Sequence, residues 1–251
     1  MLKFNAHLGF QFTELPFLDR FSAAAEAGFA AVEFPSPYEY DASVLADLLQ
    51  ASGLELIQIA SPSGDSKGLA AVPGKAKEFR HGLEKAVQYA TALGCSNVHL
   101  MSGVTGDGQA SAVFRENLDY GVNYLLDRGL VPLVEVISVQ AAPGYFFSDF
   151  HKAQDVLDRL PGLRLILDLY HAQILTQDAI GILRAYHHRI EHVQIADWPG
   201  RNEPGTGSMD FLSLFNMLQQ LGYSGWVGCE YHPSTVTTDT LGWMSQFKSD
   251  L

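Results

Sequence analysis

Along most of the chain a stretch of helical period ends at a glycine and a short, nearly continuous apolar run follows. SAAAEAGFAAVEF, LADLLQASGLELIQIA, AVQYATALGCSNVHLM, VNYLLDRGLVPLVEVI and VLDRLPGLRLILDL all read this way. Gly28, Gly53, Gly94, Gly129 and Gly162 stand at the turns, where a left-handed residue would end each helix. Helical spacing is clearest in SAVFRENLDYGVNYLL: Phe114, Leu118, Val122 and Leu125 share one face and Arg115, Glu116 and Asp119 point away from it. The apolar runs do not alternate with polar residues, as expected of strands covered on both faces in a parallel sheet.

Eight strands are predicted, near residues 3–10, 30–34, 54–60, 96–101, 131–137, 163–169, 190–196 and 225–231. Alternating with helices, they predict an α/β protein, a (β/α)₈ TIM barrel filling residues 1–251 as a single domain. A doubly wound sheet would call for a glycine-rich fingerprint after its first strand, and the sequence has none. Two irregular stretches break the repeat. DWPGRNEPGTGSMDF follows strand seven, at the end where long loops are usually functional. SPSGDSKGLAAVPGKAKEF follows strand three and reads equally as a lid or as a solvated insertion.

Composition narrows the partners. A formal net charge of −12 opposes binding to a phosphate backbone, so no nucleic-acid partner is expected. No stretch of about 18 apolar residues occurs, which argues against a membrane span, and a soluble cytoplasmic protein is expected. Cys95 and Cys229 lie in apolar segments without CxxC spacing and read as buried thiols rather than a disulfide framework. A homo-oligomer is left open.

The chemistry gathers at the strand ends. In a closed barrel, polar residues at the C-terminal ends of strands converge on the mouth, and four successive strands each supply one: Glu135, Asp168, Gln194 and Glu230. A lone strand-end acid is commonly a helix cap, but four in succession point to a site. Three carboxylates and an amide oxygen form a hard donor set that favours Mg²⁺ or Mn²⁺, admits Co²⁺ and excludes a thiolate zinc site. One or two open positions would take adjacent oxygens of a hydroxy-carbonyl substrate and support an enediolate. Glu135 and Glu230 are then the pair that removes and returns the proton.

Around this set, His171, three residues after Asp168, would bond the substrate oxygen or support a ligand. Arg201, in the loop after strand seven, would hold a substrate carboxylate or hydroxyl with its fork of donors. Glu203 reads as an exposed loop acid, with a role in orienting Arg201 or Gln194 as the rival. His7, Glu33, Gln58 and His99 read as hydrogen-bonded rim residues. His192 reads as a buried, satisfied histidine one layer below Gln194, and His187 and His188 as helix-end residues with no role in the site.

FTELPFLDRFSAAAEAGFAAVEFPSPYEY, the VEVIS of strand five, LILDLYHAQI, HVQIADWPGRNEPGTG and GCEY together resemble the hydroxypyruvate isomerases, within the xylose-isomerase-like barrels. The resemblance covers essentially the whole chain. It implies a metal-dependent isomerisation of a small hydroxy-oxo acid, with Glu135, Asp168, Gln194 and Glu230 as ligands and Glu135 and Glu230 as the proton-transferring pair. The reaction implied is hydroxypyruvate to tartronate semialdehyde, or 2-oxo-tetronate to 3-oxo-tetronate. Gln194 stands where related ketose epimerases carry a histidine, which favours the acid isomerases. Asn202 replaces the histidine of a GRHEP loop, and VHLMSG replaces a commoner N-x-L-x-G ending of strand four; both bear on substrate choice. A ketose 3-epimerase is the alternative. A metal-dependent endonuclease-like barrel and a non-catalytic sugar-acid binding protein rank below it.

Overall fold

The computed structural model describes residues 2–247, which contain nine strands and eight α-helices. The strands are β1 (Lys3–His7), β2 (Ala31–Glu33), β3 (Glu55–Leu56), β4 (Gln58–Ala60), β5 (Asn97–His99), β6 (Val131–Glu135), β7 (Arg164–Asp168), β8 (Ile190–Ile195) and β9 (Trp226–Cys229). The helices are α1 (Arg20–Glu26), α2 (Ala42–Ser52), α3 (Ala76–Leu93), α4 (Ala110–Leu126), α5 (Phe150–Arg159), α6 (Leu169–Thr176), α7 (Ala179–Tyr186) and α8 (Phe211–Gln220).

The chain forms two compact units. The first comprises residues 1–33, 47–57 and 167–251, and the second residues 34–46 and 58–166. In the first, β1 pairs in parallel with β2 and β9, β2 with β3, and β9 with β8. The register sets His7 opposite Glu33, Ala6 opposite Cys229, and Gln194 opposite Gly228. In the second, β4, β5, β6 and the Arg164–Ile166 part of β7 pair in sequence, all parallel. Each unit has its own apolar interior: Phe4, Phe21, Val32, Leu183, Val193 and Phe215 in the first, and Ile59, Leu83, Val98, Leu118, Leu133 and Leu157 in the second.

Most predicted elements form, with two corrections. The third strand, expected over 54–60, is broken at Ile57 into β3, which pairs with β2, and β4, which pairs with β5. The apolar pattern is continuous across the break and carries no sign of a change of partner. Gly162 is not left-handed as predicted. A Cβ there would lie 2.5 Å from Leu126 Cδ1, the end of a half-exposed side chain that could move aside, so glycine is not strictly required.

The segment after β4 is not a solvated insertion. Leu69, Ala70 and Ala71 are buried, and Ala70 and Ala71 donate to the Met101 and Ser102 carbonyls at 3.2 and 2.7 Å. Gly68 and Gly103 meet backbone to backbone, and a Cβ on Gly103 would stand 2.2 Å from the Gly68 carbonyl oxygen. Both have positive φ, 129° and 91°, so glycine is required there twice over.

Candidate active site

The site grows from the places where strands of the first unit end. Asp168 closes β7 and is also the N-cap of α6: its Oδ1 accepts from the Tyr170 amide at 2.8 Å. The cap fixes the carboxylate and leaves Oδ2 outside the capping bond. One helical turn on, the Nε2 of His171 stands 3.5 Å from that Oδ2. Burial lowers the His171 pKa to about 4, with Asp168 opposing the shift and Arg201 adding to it, so the ring is neutral at neutral pH.

On β8, Gln194 is 2 % exposed and its amide nitrogen donates to Glu33 Oε1 at 3.2 Å. The other Glu33 oxygen stands 2.5 Å from His192 Nε2, and neither Glu33 nor His192 has any exposed surface. Glu33 is therefore no rim residue but a buried partner beneath Gln194. Burial pushes its carboxyl up, yet His192, His7 and the Gln194 amide outweigh that effect and hold it at about 2. Glycine at 228 makes the pair feasible: a Cβ there would fall 2.2 Å from Glu33 Oε1 and 3.0 Å from His192 Nε2.

Glu230 follows β9 directly, and its amide donates to the Ile195 carbonyl at 3.1 Å. Its Oε1 faces Arg201 Nη2 at 3.2 Å, and the same nitrogen is 3.5 Å from Asp168 Oδ2. Burial raises the Glu230 pKa to about 8; Arg201 opposes the rise, while Asp168 and Glu33 add to it. His7, also expected on the rim, is buried with its Nε2 4.0 Å from Glu230 Oε1. Its Nδ1 accepts the Gly9 amide at 3.1 Å, so a neutral ring carries its proton on Nε2.

Arg201 is held by the loop from Ala196 to Asp210. Asp197 accepts from the Gly205, Gly207 and Met209 amides at 2.9, 2.8 and 3.0 Å, drawing the loop around one carboxylate. The Arg201 carbonyl accepts from the His232 amide at 2.8 Å, and its guanidinium lies over Phe10 and Tyr170, 4.9 and 5.2 Å from the ring centroids. Glu203 is buried rather than exposed and orients neither Arg201 nor Gln194. It accepts from the Ser234 amide at 3.0 Å and from the Ser234 hydroxyl.

Of the predicted site residues, the structure brings Asp168, His171, Arg201 and Glu230 into one linked group and seats Gln194 on β8, the neighbour of β9. Glu135 ends β6 in the second unit, 7 % exposed, with its Oε2 3.8 Å from His99 Nδ1. His99 is buried too, and burial lowers its pKa to about 3. His187 and His188 lie exposed in the short 3₁₀ turn after α7, outside this group. Sequence reasoning missed the roles of Glu33 and His7. The one available signal was their position at the ends of the short strands β1 and β2.

Asp168 Oδ2, Gln194 Oε1 and Glu230 Oε2 are buried and accept no hydrogen bond among the described residues. Leaving a buried acceptor without a hydrogen bond costs about 1–3 kcal/mol, and such atoms in a native fold call for an explanation such as a bound ligand. The three are hard oxygen donors, two from carboxyl groups and one from an amide, the kind of donor that suits a hard divalent cation.

The family model for the xylose isomerase-like TIM barrel matches residues 21–247. The chain is 37% identical to a 2-oxo-tetronate isomerase of Pectobacterium atrosepticum, with 97% of each chain covered. It is 37% identical to a hydroxypyruvate isomerase of Escherichia coli, over 99% of this chain and 100% of the other. A crystal structure from Brucella melitensis described as an AP endonuclease, family 2, superposes with a TM-score of 0.95 at 40% identity, over 99% of this chain and 100% of that one. The chain therefore belongs to the xylose isomerase-like TIM barrels and, within them, to the hydroxypyruvate isomerase family of isomerase enzymes.

Proposed function

We propose that the protein is a divalent-metal-dependent isomerase of a small hydroxy-oxo acid, interconverting hydroxypyruvate and tartronate semialdehyde or the 2-oxo- and 3-oxo-tetronates. The observation that carries this reading is the set of three buried strand-end oxygens, on Asp168, Gln194 and Glu230, that accept no hydrogen bond among the described residues. The names of the relatives supply the substrate class. Asp168, Gln194 and Glu230 hold the ion, and Glu135 is the fourth ligand by its place in the family motif. Mg²⁺ or Mn²⁺ suits such oxygens, with Co²⁺ a further candidate. A bound ion would supply positive charge at the substrate carbonyl oxygen.

The chain's own groups do the rest. Arg201 presents a forked donor to the substrate carboxylate, its guanidinium near the rings of Phe10 and Tyr170. His171, neutral, offers a ring N–H to a substrate oxygen. Glu230 and Glu135 take the proton from one carbon and deliver it to the next.

An assay of the Mn²⁺-loaded protein against two-, three- and four-carbon oxo acids tests the proposal, with turnover of hydroxypyruvate or a 2-oxo-tetronate expected. Epimerisation of a ketohexose with no action on these acids would assign the protein to the ketose 3-epimerases instead. The activity named in the Brucella description is disfavoured here by the net charge of −12, which repels a phosphate backbone.

A further inference from the structure

We propose that Glu33 is a positioning residue that locks the Gln194 side chain with its carbonyl oxygen toward the ion site. The inference rests on the metal-dependent reading above. An amide has two ends of nearly equal size and opposite polarity, so a glutamine serves as a ligand only if something fixes which end points where. An ionised carboxylate can only accept. Glu33 Oε1 therefore takes the amide NH₂ of Gln194, at 3.2 Å, and the carbonyl Oε1 is turned the other way, where it is buried and accepts no hydrogen bond among the described residues.

Three features keep Glu33 in that role. Its second oxygen is engaged by His192 at 2.5 Å, so the carboxylate cannot rotate without breaking that contact. Gly228, opposite Gln194 in the β8–β9 register, leaves the space that any Cβ would take from Glu33 Oε1. Glu33, His192 and Gln194 are 0–2 % exposed, so water does not compete for the amide. A histidine ligand at position 194 would have no amide to orient, so the Glu33 contact is a requirement that comes with glutamine.

The test is a double-mutant cycle on Mn²⁺ affinity, read by electron paramagnetic resonance of free Mn²⁺ in titrations of the chelator-treated full-length protein. Glu33→Asp keeps the charge but withdraws the carboxylate by one methylene, and it should weaken Mn²⁺ binding by ~10-fold or more, the usual effect of losing a group that orients a ligand. In a Gln194→Ala background the same change should alter the affinity by less than ~2-fold, because the group it orients is gone. A Glu33→Asp protein that binds like the wild type overturns the proposal, as does a full loss that persists without Gln194. If Glu33→Asp does not fold, judged by circular dichroism, Glu33→Met, which keeps the length but offers no oxygen to the Gln194 amide, takes its place in the cycle under the same criteria. A wild type that takes no Mn²⁺, or a Gln194→Ala variant as tight as the wild type, instead defeats the metal-site reading and this inference with it.

Discussion

Arg201 Nη2 stands 3.2 Å from Glu230 Oε1, so the guanidinium proposed to hold the substrate also sets the charge on the carboxylate proposed to move its proton. The two functions should separate in kinetics. Replacing Arg201 with Met should raise KM for the oxo acid by ~10-fold or more through the lost carboxylate contact. It also removes the one neighbour that favours ionised Glu230, so the acid limb of the kcat/KM profile should move to higher pH. A variant with raised KM and an unmoved profile would show that Arg201 does not tune Glu230 in the working enzyme.

Glu230→Gln keeps the shape and removes the base. Loss of a general base should lower kcat by ~10²- to 10⁴-fold, while oxo-acid binding, followed by calorimetry, is retained. Deuterium exchange at the substrate carbon in D₂O should cease, and exchange at the wild-type rate would remove Glu230 from the mechanism.

Ion binding should appear as stability. At 100 times Kd, a ligand specific to the folded state adds about 2.7 kcal/mol, which for a chain of this size raises Tm by roughly 5–10 °C. Differential scanning calorimetry of chelator-treated protein with and without Mn²⁺ measures this, and Gln194→Ala should forfeit most of the gain at the same concentration.

Gly228→Ala places a methyl group 2.2 Å from Glu33 Oε1, against a carboxylate already engaged on both sides. Overpacking of this kind costs about 1–3 kcal/mol. A lowered urea midpoint at unchanged m-value would be the signature, and an unchanged midpoint would mean that Glu33 yields freely.

Acid should destabilise the protein in part through His99. Burial disfavours its charged form and lowers its pKa from 6.5 to about 3. Between those values the unfolded chain binds the extra proton, so stability falls as pH drops through that window. His99→Asn, lacking the titrating ring, should show a shallower loss of Tm between roughly pH 6 and pH 4. Parallel profiles would assign the acid lability to other groups, the buried His7 and His171 among them.

The repeat of helix, glycine and apolar run was legible because burial on both faces leaves an unmistakable pattern in strands such as Arg164–Asp168. The break at Ile57 was not, since an exchange of strand partners leaves no mark on a hydrophobic run. Asp168, Gln194 and Glu230 stood out as polar residues ending apolar strands. Glu33 ends an apolar strand just as they do, but what distinguishes it lies 161 residues away on β8, in the amide of Gln194. Glu203 was misplaced for a similar reason: a carboxylate in a Gly- and Pro-rich loop reads as solvated, and its buried partner, Ser234, lies 31 residues downstream.

The loop that carries Arg201 draws three of its own amides onto Asp197 and is tied to the segment after β9 through His232 and Ser234. A segment organised around an internal charge behaves as a cassette. Asn202 belongs to that frame: its carbonyl accepts from the Asp197 amide and its side chain donates to the His232 carbonyl, both at 2.8 Å. Substrate range in such a barrel can then diverge by exchange of one loop, leaving the strand-end oxygens and their supports untouched.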